Sequence, residues 1–206
     1  LILDATGSAT LSASAVDSAS TDNCSITSLV VSDSTFGCAD IGTTTVLLTG
    51  TDASGNSASC SATVTISDTT APMAVCQNIS VFLDGSGSAS ITAADVDGGS
   101  SDNCSIVSSS VSTSTFSCTD LGTNTVVLTV ADSSGNSDTC SAVVTVTDTT
   151  APTAICQSVT VFLDSTGNAT ITASDVDNGS SDNCSITSTS IDSSSFACAN
   201  VGIANP

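Results

Sequence analysis

Apolar and polar residues alternate in short runs along this chain. Ile79, Val81 and Leu83 fall on one side of an extended backbone, as do Val126, Leu128 and Val130, and again Ala142, Val144 and Val146. A period of two with Val, Ile and Thr enrichment predicts half-buried β-strands. LDGSG at 83–87 and DSSGN at 132–136 separate strand pairs, and both place Gly where a hairpin needs positive φ. No stretch carries sustained helical periodicity with caps. The pattern predicts an all-β fold.

The strands recur with a fixed period. TDNCSI at 21–26 returns as SDNCSI at 101–106 and at 181–186, an offset of 80 residues each time. DTTAP at 68–72 returns at 148–152, and VFLDGSGSASITAADVD at 81–97 returns as VFLDSTGNATITASDVD at 161–177. At the same offset the first copy of that block is ILDATGSATLSASAVD at 2–17. The 206 residues hold about 2.6 such units, with the end at 203–206 (IANP) departing from TNTV at 123–126. The expected division is a partial repeat at 1–67 without its first strand, a complete repeat at 68–147, and a partial repeat at 148–206 without its last strands. The period exceeds the roughly 34–47 residues of helical solenoid units and suits a small β-sandwich of six or seven strands. Pro72 and Pro152 follow DTTA and precede a strand, which predicts a short, stiff linker and hence a rod of tandem domains.

Composition then narrows the function. The chain has no Lys, Arg or His, and its 20 acidic residues, all Asp, give a formal charge of −20. Nucleic-acid binding needs cations to displace counterions from phosphate, and an anionic membrane surface would repel this chain. The longest apolar runs are about four residues, far short of the roughly 20 that span a bilayer. A hydrophobic fraction of 39% and a mean hydropathy of +0.37 are too apolar for a disordered acidic tail. Serines lack a His or Lys base, and thiolates lack electropositive neighbours, so no enzyme is expected. DTT at 68–70 and 148–150 differs from the DTG of aspartic proteases at its third residue and lies in linkers.

Ten cysteines at regular spacing point to an oxidising, extracellular setting. Without CxxC or His, zinc is disfavoured. Leu1 is not an initiator Met, and the chain reads as a segment of something longer. Each repeat carries cysteines at the positions of 76, 104, 118 and 140.

LGTNTVVLTVADSSGNSDTCSAVVTVTD at 121–148, its counterpart IGTTTVLLTGTDASGNSASCSATVTISD at 41–68, and the DTTAPxAxCQ joint together resemble a hyalin repeat, or HYR domain. The resemblance covers essentially the whole chain. It implies tandem immunoglobulin-like β-sandwiches of about 80 residues and a role in extracellular adhesion, as in the stalks of large bacterial cell-surface adhesins. Cys104 and Cys118 are additional to the family's usual cysteine pair. Two pairing schemes stand. The one that the resemblance favours joins Cys24–Cys38, Cys76–Cys140, Cys104–Cys118 and Cys184–Cys198 within repeats, leaving Cys60 and Cys156 to partners outside the segment. The other bridges neighbours through Cys60–Cys76 and Cys140–Cys156, which demands a Cα approach of roughly 4.4–6.8 Å across a Pro joint.

The richest polar cluster is DVDGGSSDN at 95–103. Asp95, Asp97, Asp102 and Asn103, with Asp175, Asp177, Asp182 and Asn183 in the next copy, form an oxygen-rich loop that suits Ca2+. The spacing is not that of an EF-hand, and Ala15 replaces the first Asp in the first copy. Asp68 and Asp148 at the joints, with Asp52 and Asp132 in the hairpins, make a second set, which linker and hairpin geometry accounts for without metal. Sequons at Asn78, Asn168 and Asn178 are N-glycan candidates; Thr69, Thr149, Ser18, Ser34 and Ser165 match the D-S/T-x pattern of O-glycans that the resemblance to gliding-bacterial adhesins implies.

The expected function is a non-enzymatic extracellular stalk or filament body, stiffened by disulfides and calcium. Its partners would be neighbouring repeats or chains of the same fibre, with a receptor or glycan engaged at a distal tip. A module that itself binds glycan or protein is the competing reading, weakened by an aromatic content of 2%. A filament subunit completed by strands of neighbouring chains is a third.

Overall fold

The computed structural model describes residues 1–202. The irregular end at 203–206 lies outside the described residues. The chain is all-β apart from single helical turns. The first repeat contains β1 (Ser8–Thr10), α1 (Ala13–Val16), β2 (Ile26–Val31), β3 (Thr35–Gly37), β4 (Gly42–Asp52) and β5 (Ser57–Ile66). The second contains β6 (Ile79–Phe82), β7 (Ser88–Ser90), α2 (Ala93–Val96), β8 (Ile106–Val111), β9 (Thr115–Ser117), β10 (Gly122–Asp132) and β11 (Ser137–Thr147). The third contributes β12 (Asn168–Thr170), α3 (Ala173–Val176) and β13 (Ser195–Ala197).

In the first repeat β2, β4 and β5 form one antiparallel sheet, with Val46 opposite Ala62 and Leu48 opposite Cys60. β1 pairs with β3 in a second, placing Ala9 opposite Phe36. Leu3, Leu11, Phe36, Val46, Val64 and Ile66 pack as one core. In the second repeat the sheet order is β6-β11-β10-β8, and β7 pairs with β9. The alternation in the sequence is the alternation of burial: Val126, Leu128 and Val130 are inside, while Val127 between them is exposed. Fully burying a Val or Leu contributes about 1.5–3 kcal/mol, and this repeating inward face is the main source of cohesion.

The helical turns were not legible as helices because four residues show no periodicity. Each follows a Thr or Ser, and in α2 and α3 an Asp at the third position folds back. Asp95 Oδ2 accepts from the Thr92 N–H at 2.7 Å, and Asp175 Oδ2 from the Thr172 N–H at 2.7 Å.

Contacts divide the chain into two compact units. One comprises Leu1–Ile79, Thr92–Thr113 and Thr125–Val143; the other comprises Ser80–Ile91, Ser114–Asn124 and the chain from Val144 onward. The first unit thus holds all of the first repeat together with one end of the second. In the second unit the segment Val159–Leu163 forms no strand, and Phe162 is 88% exposed. An open apolar cleft of about 970 Å³ lies beside it, lined by Val161, Leu163, Ile171, Val176 and Phe196.

Candidate functional site

The disulfides define where consecutive repeats meet. Cys38 is bonded to Cys104 and Cys118 to Cys184, in each case 66 positions apart in sequence and with Cα atoms 5.3 Å apart. Cys76 is bonded to Cys140, with Cα atoms 5.8 Å apart. Cys24, Cys60, Cys156 and Cys198 are unpaired and exposed. The pairings Cys24–Cys38, Cys104–Cys118 and Cys184–Cys198 are therefore corrected, and the alternative bridges Cys60–Cys76 and Cys140–Cys156 are not formed. The reason is geometric. Cys38 begins a 3₁₀ turn, Cys38–Asp40, at the end of β3, and the DNC turn of the following repeat is delivered against it.

Gly7 makes that approach possible. It has φ +73°, and a Cβ there would lie 2.7 Å from both Asn103 O and Cys38 Sγ. Gly87 repeats the arrangement with φ +75°, 2.6 Å from Asn183 O and 2.8 Å from Cys118 Sγ.

The DNC turn carries its own scaffold. Asp102 Oδ2 accepts from the N–H groups of Cys104 (2.8 Å) and Ser105 (3.0 Å), which holds Ser105 at φ 125°. Asn103 Nδ2 donates to Asp4 O at 3.1 Å and to Asp68 Oδ1 at 3.2 Å. The DSSGN hairpin comes to the same place. Asn136 Nδ2 donates to Asp132 Oδ2 (2.7 Å) and to the carbonyls of Asp68 and Thr70 (both 3.3 Å). Burial pushes the Asp132 carboxyl up, but hydrogen bonds from the Asn136 side chain and from the Asn136, Ser134 and Gly135 N–H groups outweigh it and hold it below the usual range.

One oxygen each from Asp68, Asp102 and Asp132 lies within 4.8 Å of the others, and Asp68 and Asp132 are buried. This group takes one residue from the expected loop set and two from the set assigned to linker and hairpin geometry. Asp95 and Asp97 do not join it. Asp95 caps α2, and Asp97 Oδ1 accepts from the N–H groups of Gly99 and Ser100 and from Ser100 Oγ. Asp175 and Asp177 are likewise engaged with Thr172 and Ser180. Asp182 and Asn183 sit as Asp102 and Asn103 do, with Asn183 Nδ2 donating to Asp84 O (3.0 Å) and Asp148 Oδ1 (3.0 Å). The eight glycan candidates, Thr69, Thr149, Ser18, Ser34, Ser165, Asn78, Asn168 and Asn178, are all exposed. The Asn78 side-chain oxygen accepts from the Val143 N–H at 2.8 Å.

The architecture is that of a β-sandwich repeat cross-linked to its neighbour. Residues 6–66 match the family model of the HYR domain. Among solved structures, one titled protocadherin gammaB7 EC3-6 cis-dimer has a TM-score of 0.31 at 20% identity, covering 61% of this chain and 38% of that one. Another, protocadherin gamma B7 extracellular cadherin domains 1–4, has a TM-score of 0.31 at 12% identity, covering 66% of this chain and 43% of that one. The chain thus spans about two fifths of the length of each. No curated protein matches the chain.

Proposed function

We propose that the chain is a non-enzymatic segment of an extracellular adhesion protein, forming part of the stalk or filament body of a large cell-surface adhesin. The observation that carries this reading is the disulfide between consecutive repeats, Cys38–Cys104 and again Cys118–Cys184. A bond of this kind requires an oxidising compartment, and it ties one repeat to the next instead of shaping a pocket within either. The HYR match at residues 6–66, an extracellular domain, supports the same setting. On this reading the repeats are bounded at 1–67, 68–147 and 148–206, their partners are further repeats of the same fibre, and the acidic surface meets extracellular calcium. Glycans at the exposed Thr69 and Thr149 of the joints would belong to the same picture. A chain without Trp or Tyr offers no stacking platform for sugar recognition, which favours the stalk over the binding module.

The test is immuno-electron microscopy of source cells with an antibody raised against the oxidised chain. Label along surface fibres at regular axial intervals supports the reading. Label confined to the cytoplasm, or to a single point at a fibre tip, overturns it.

A further inference from the structure

Asp68 is 95% buried by the measure of its 5% exposure, yet its Oδ2 accepts no hydrogen bond. Asp102 Oδ1 and Asn103 Oδ1 are also buried and without a partner. A buried carboxylate oxygen left unpaired costs several kcal/mol of lost hydration. Three carboxylates converging within 4.8 Å add mutual repulsion, and a chain with no Lys, Arg or His has no side chain able to relieve it. Each of the three is held where it is by other bonds: Asp68 Oδ1 by the Thr70 N–H (3.0 Å), Asp102 Oδ2 by the DNC turn, and Asp132 by Asn136 and Ser134. The cluster is therefore pre-formed and lacks only positive charge.

We propose that Asp68, Asp102, Asp132 and Asn103 form a calcium site that fastens the end of the first repeat to the beginning of the second. All four groups offer hard oxygen, which excludes soft thiophilic metals. Ligand number selects calcium: Mg2+ keeps several waters and takes one or two carboxylates, whereas Ca2+ accepts a cage of three carboxylates and an amide oxygen. Oxygens bound to one Ca2+ at 2.3–2.6 Å stand at most about 5.2 Å apart. The three carboxylate oxygens, all within 4.8 Å of one another, can reach one such ion. Asp68 comes from the joint, Asp102 and Asn103 from the turn beside the Cys38–Cys104 bond, and Asp132 from the hairpin, so one ion would span all three. Asp148, Asp182 and Asn183 repeat the arrangement, again with Asp182 Oδ2 and Asn183 Oδ1 unpartnered. The position equivalent to Asp132 would be 212, outside the 206-residue sequence. Asp22 and Asp52 are the first-repeat copies of Asp102 and Asp132, and the position equivalent to Asp68 falls before residue 1 of the sequence. Among the described residues this is the one such cluster of three carboxylates. The inference rests on the extracellular reading only for a supply of calcium; the coordination chemistry stands by itself.

Titration calorimetry of the oxidised, chelator-stripped chain with CaCl2 tests it, in about 0.15 M salt to screen diffuse attraction to the acidic surface. The expected result is one saturable site. Asp102→Asn and Asp132→Asn each weaken it at least tenfold, Asp95→Asn leaves it unchanged, and MgCl2 at equal concentration fails to displace calcium. Circular dichroism and a count of free thiols establish that each variant is folded and correctly bonded. Absence of saturable heat in the parent chain, wild-type affinity in the Asp102→Asn/Asp132→Asn double variant, or equal affinity for Mg2+ overturns the proposal. None of these results would touch the adhesin reading, which the microscopy tests separately.

Discussion

Cys38 is bonded to Cys104, a residue of the next repeat, while Cys118, the copy of Cys38, is bonded forward to Cys184. Closing a loop of this length removes about 4 kcal/mol of chain entropy from the unfolded state. Cys104→Ser is therefore expected to lower unfolding stability by about 2–4 kcal/mol, read from urea denaturation followed by circular dichroism. Cys24→Ser, at the same repeat position but unpaired, should leave the curve in place. Equal effects would refute the cross-repeat assignment.

The same connectivity sets a thiol count. Six of the ten cysteines are bonded, so the native 206-residue chain should carry four reactive thiols, at Cys24, Cys60, Cys156 and Cys198. Alkylation without denaturant followed by peptide mass spectrometry locates them. The within-repeat scheme would instead leave two, at Cys60 and Cys156.

Gly87 and Gly55 separate backbone strain from close contact. Both have positive φ, +75° and +88°, but only Gly87 has neighbours in the way. Gly55→Ala should cost about 1–2 kcal/mol for the left-handed conformation alone. Gly87→Ala should cost more, by about 1–3 kcal/mol, because Asn183 O and the Cys118 sulfur must also move. Thermal melts of the two variants compare them directly. A Gly87 variant no worse than the Gly55 variant would show that the two repeats can separate freely there.

Acid should destabilise the fold. Thirteen Asp carboxyls, among them Asp4, Asp97 and Asp164, are held below their ordinary value of 3.8, mainly by local hydroxyl and backbone hydrogen bonds. Because the folded values lie lower, the unfolded chain takes up protons first. The stability they contribute is complete above pH 3.8 and is lost as pH falls through the folded values. Relief of repulsion among 20 negative charges acts in the opposite sense, but salt screens it and leaves the hydrogen bonds intact. The thermal midpoint in about 0.15 M salt is expected to drop between about pH 4 and pH 2. A constant or rising midpoint would contradict this.

The strands were legible in the sequence because burial alternates with the residues themselves, as at Val126, Val127 and Leu128. The disulfides were not, because a periodic sequence identifies positions only modulo its period. Cys118 can face Cys104, 14 residues back, or its copy Cys184, 66 residues on, and the two choices look the same in sequence. Only the approach of the DNC turn to the end of β3 decides between them. The same ambiguity divided the acidic site. Asp68 lies 34 residues before Asp102, in the joint, and no local spacing rule connects them. A usable signal existed in Asn103 beside Asp102, a second side-chain oxygen that recurs wherever the DNC turn does.

The three cross-links overlap along the chain, since Cys76 lies inside the 38–104 loop and Cys118 inside the 76–140 loop. A single backbone cut anywhere between residues 38 and 184 therefore leaves one covalent molecule. A pull applied beyond those two ends bypasses most of the backbone through two disulfides. It enters at Cys38, crosses to Cys104, follows 14 peptide units to Cys118 and leaves at Cys184. Even with every strand melted, that path can lengthen to only about 60 Å, against about 500 Å for the uncrosslinked backbone. The segment behaves as a link of mail, tearing before it pays out length.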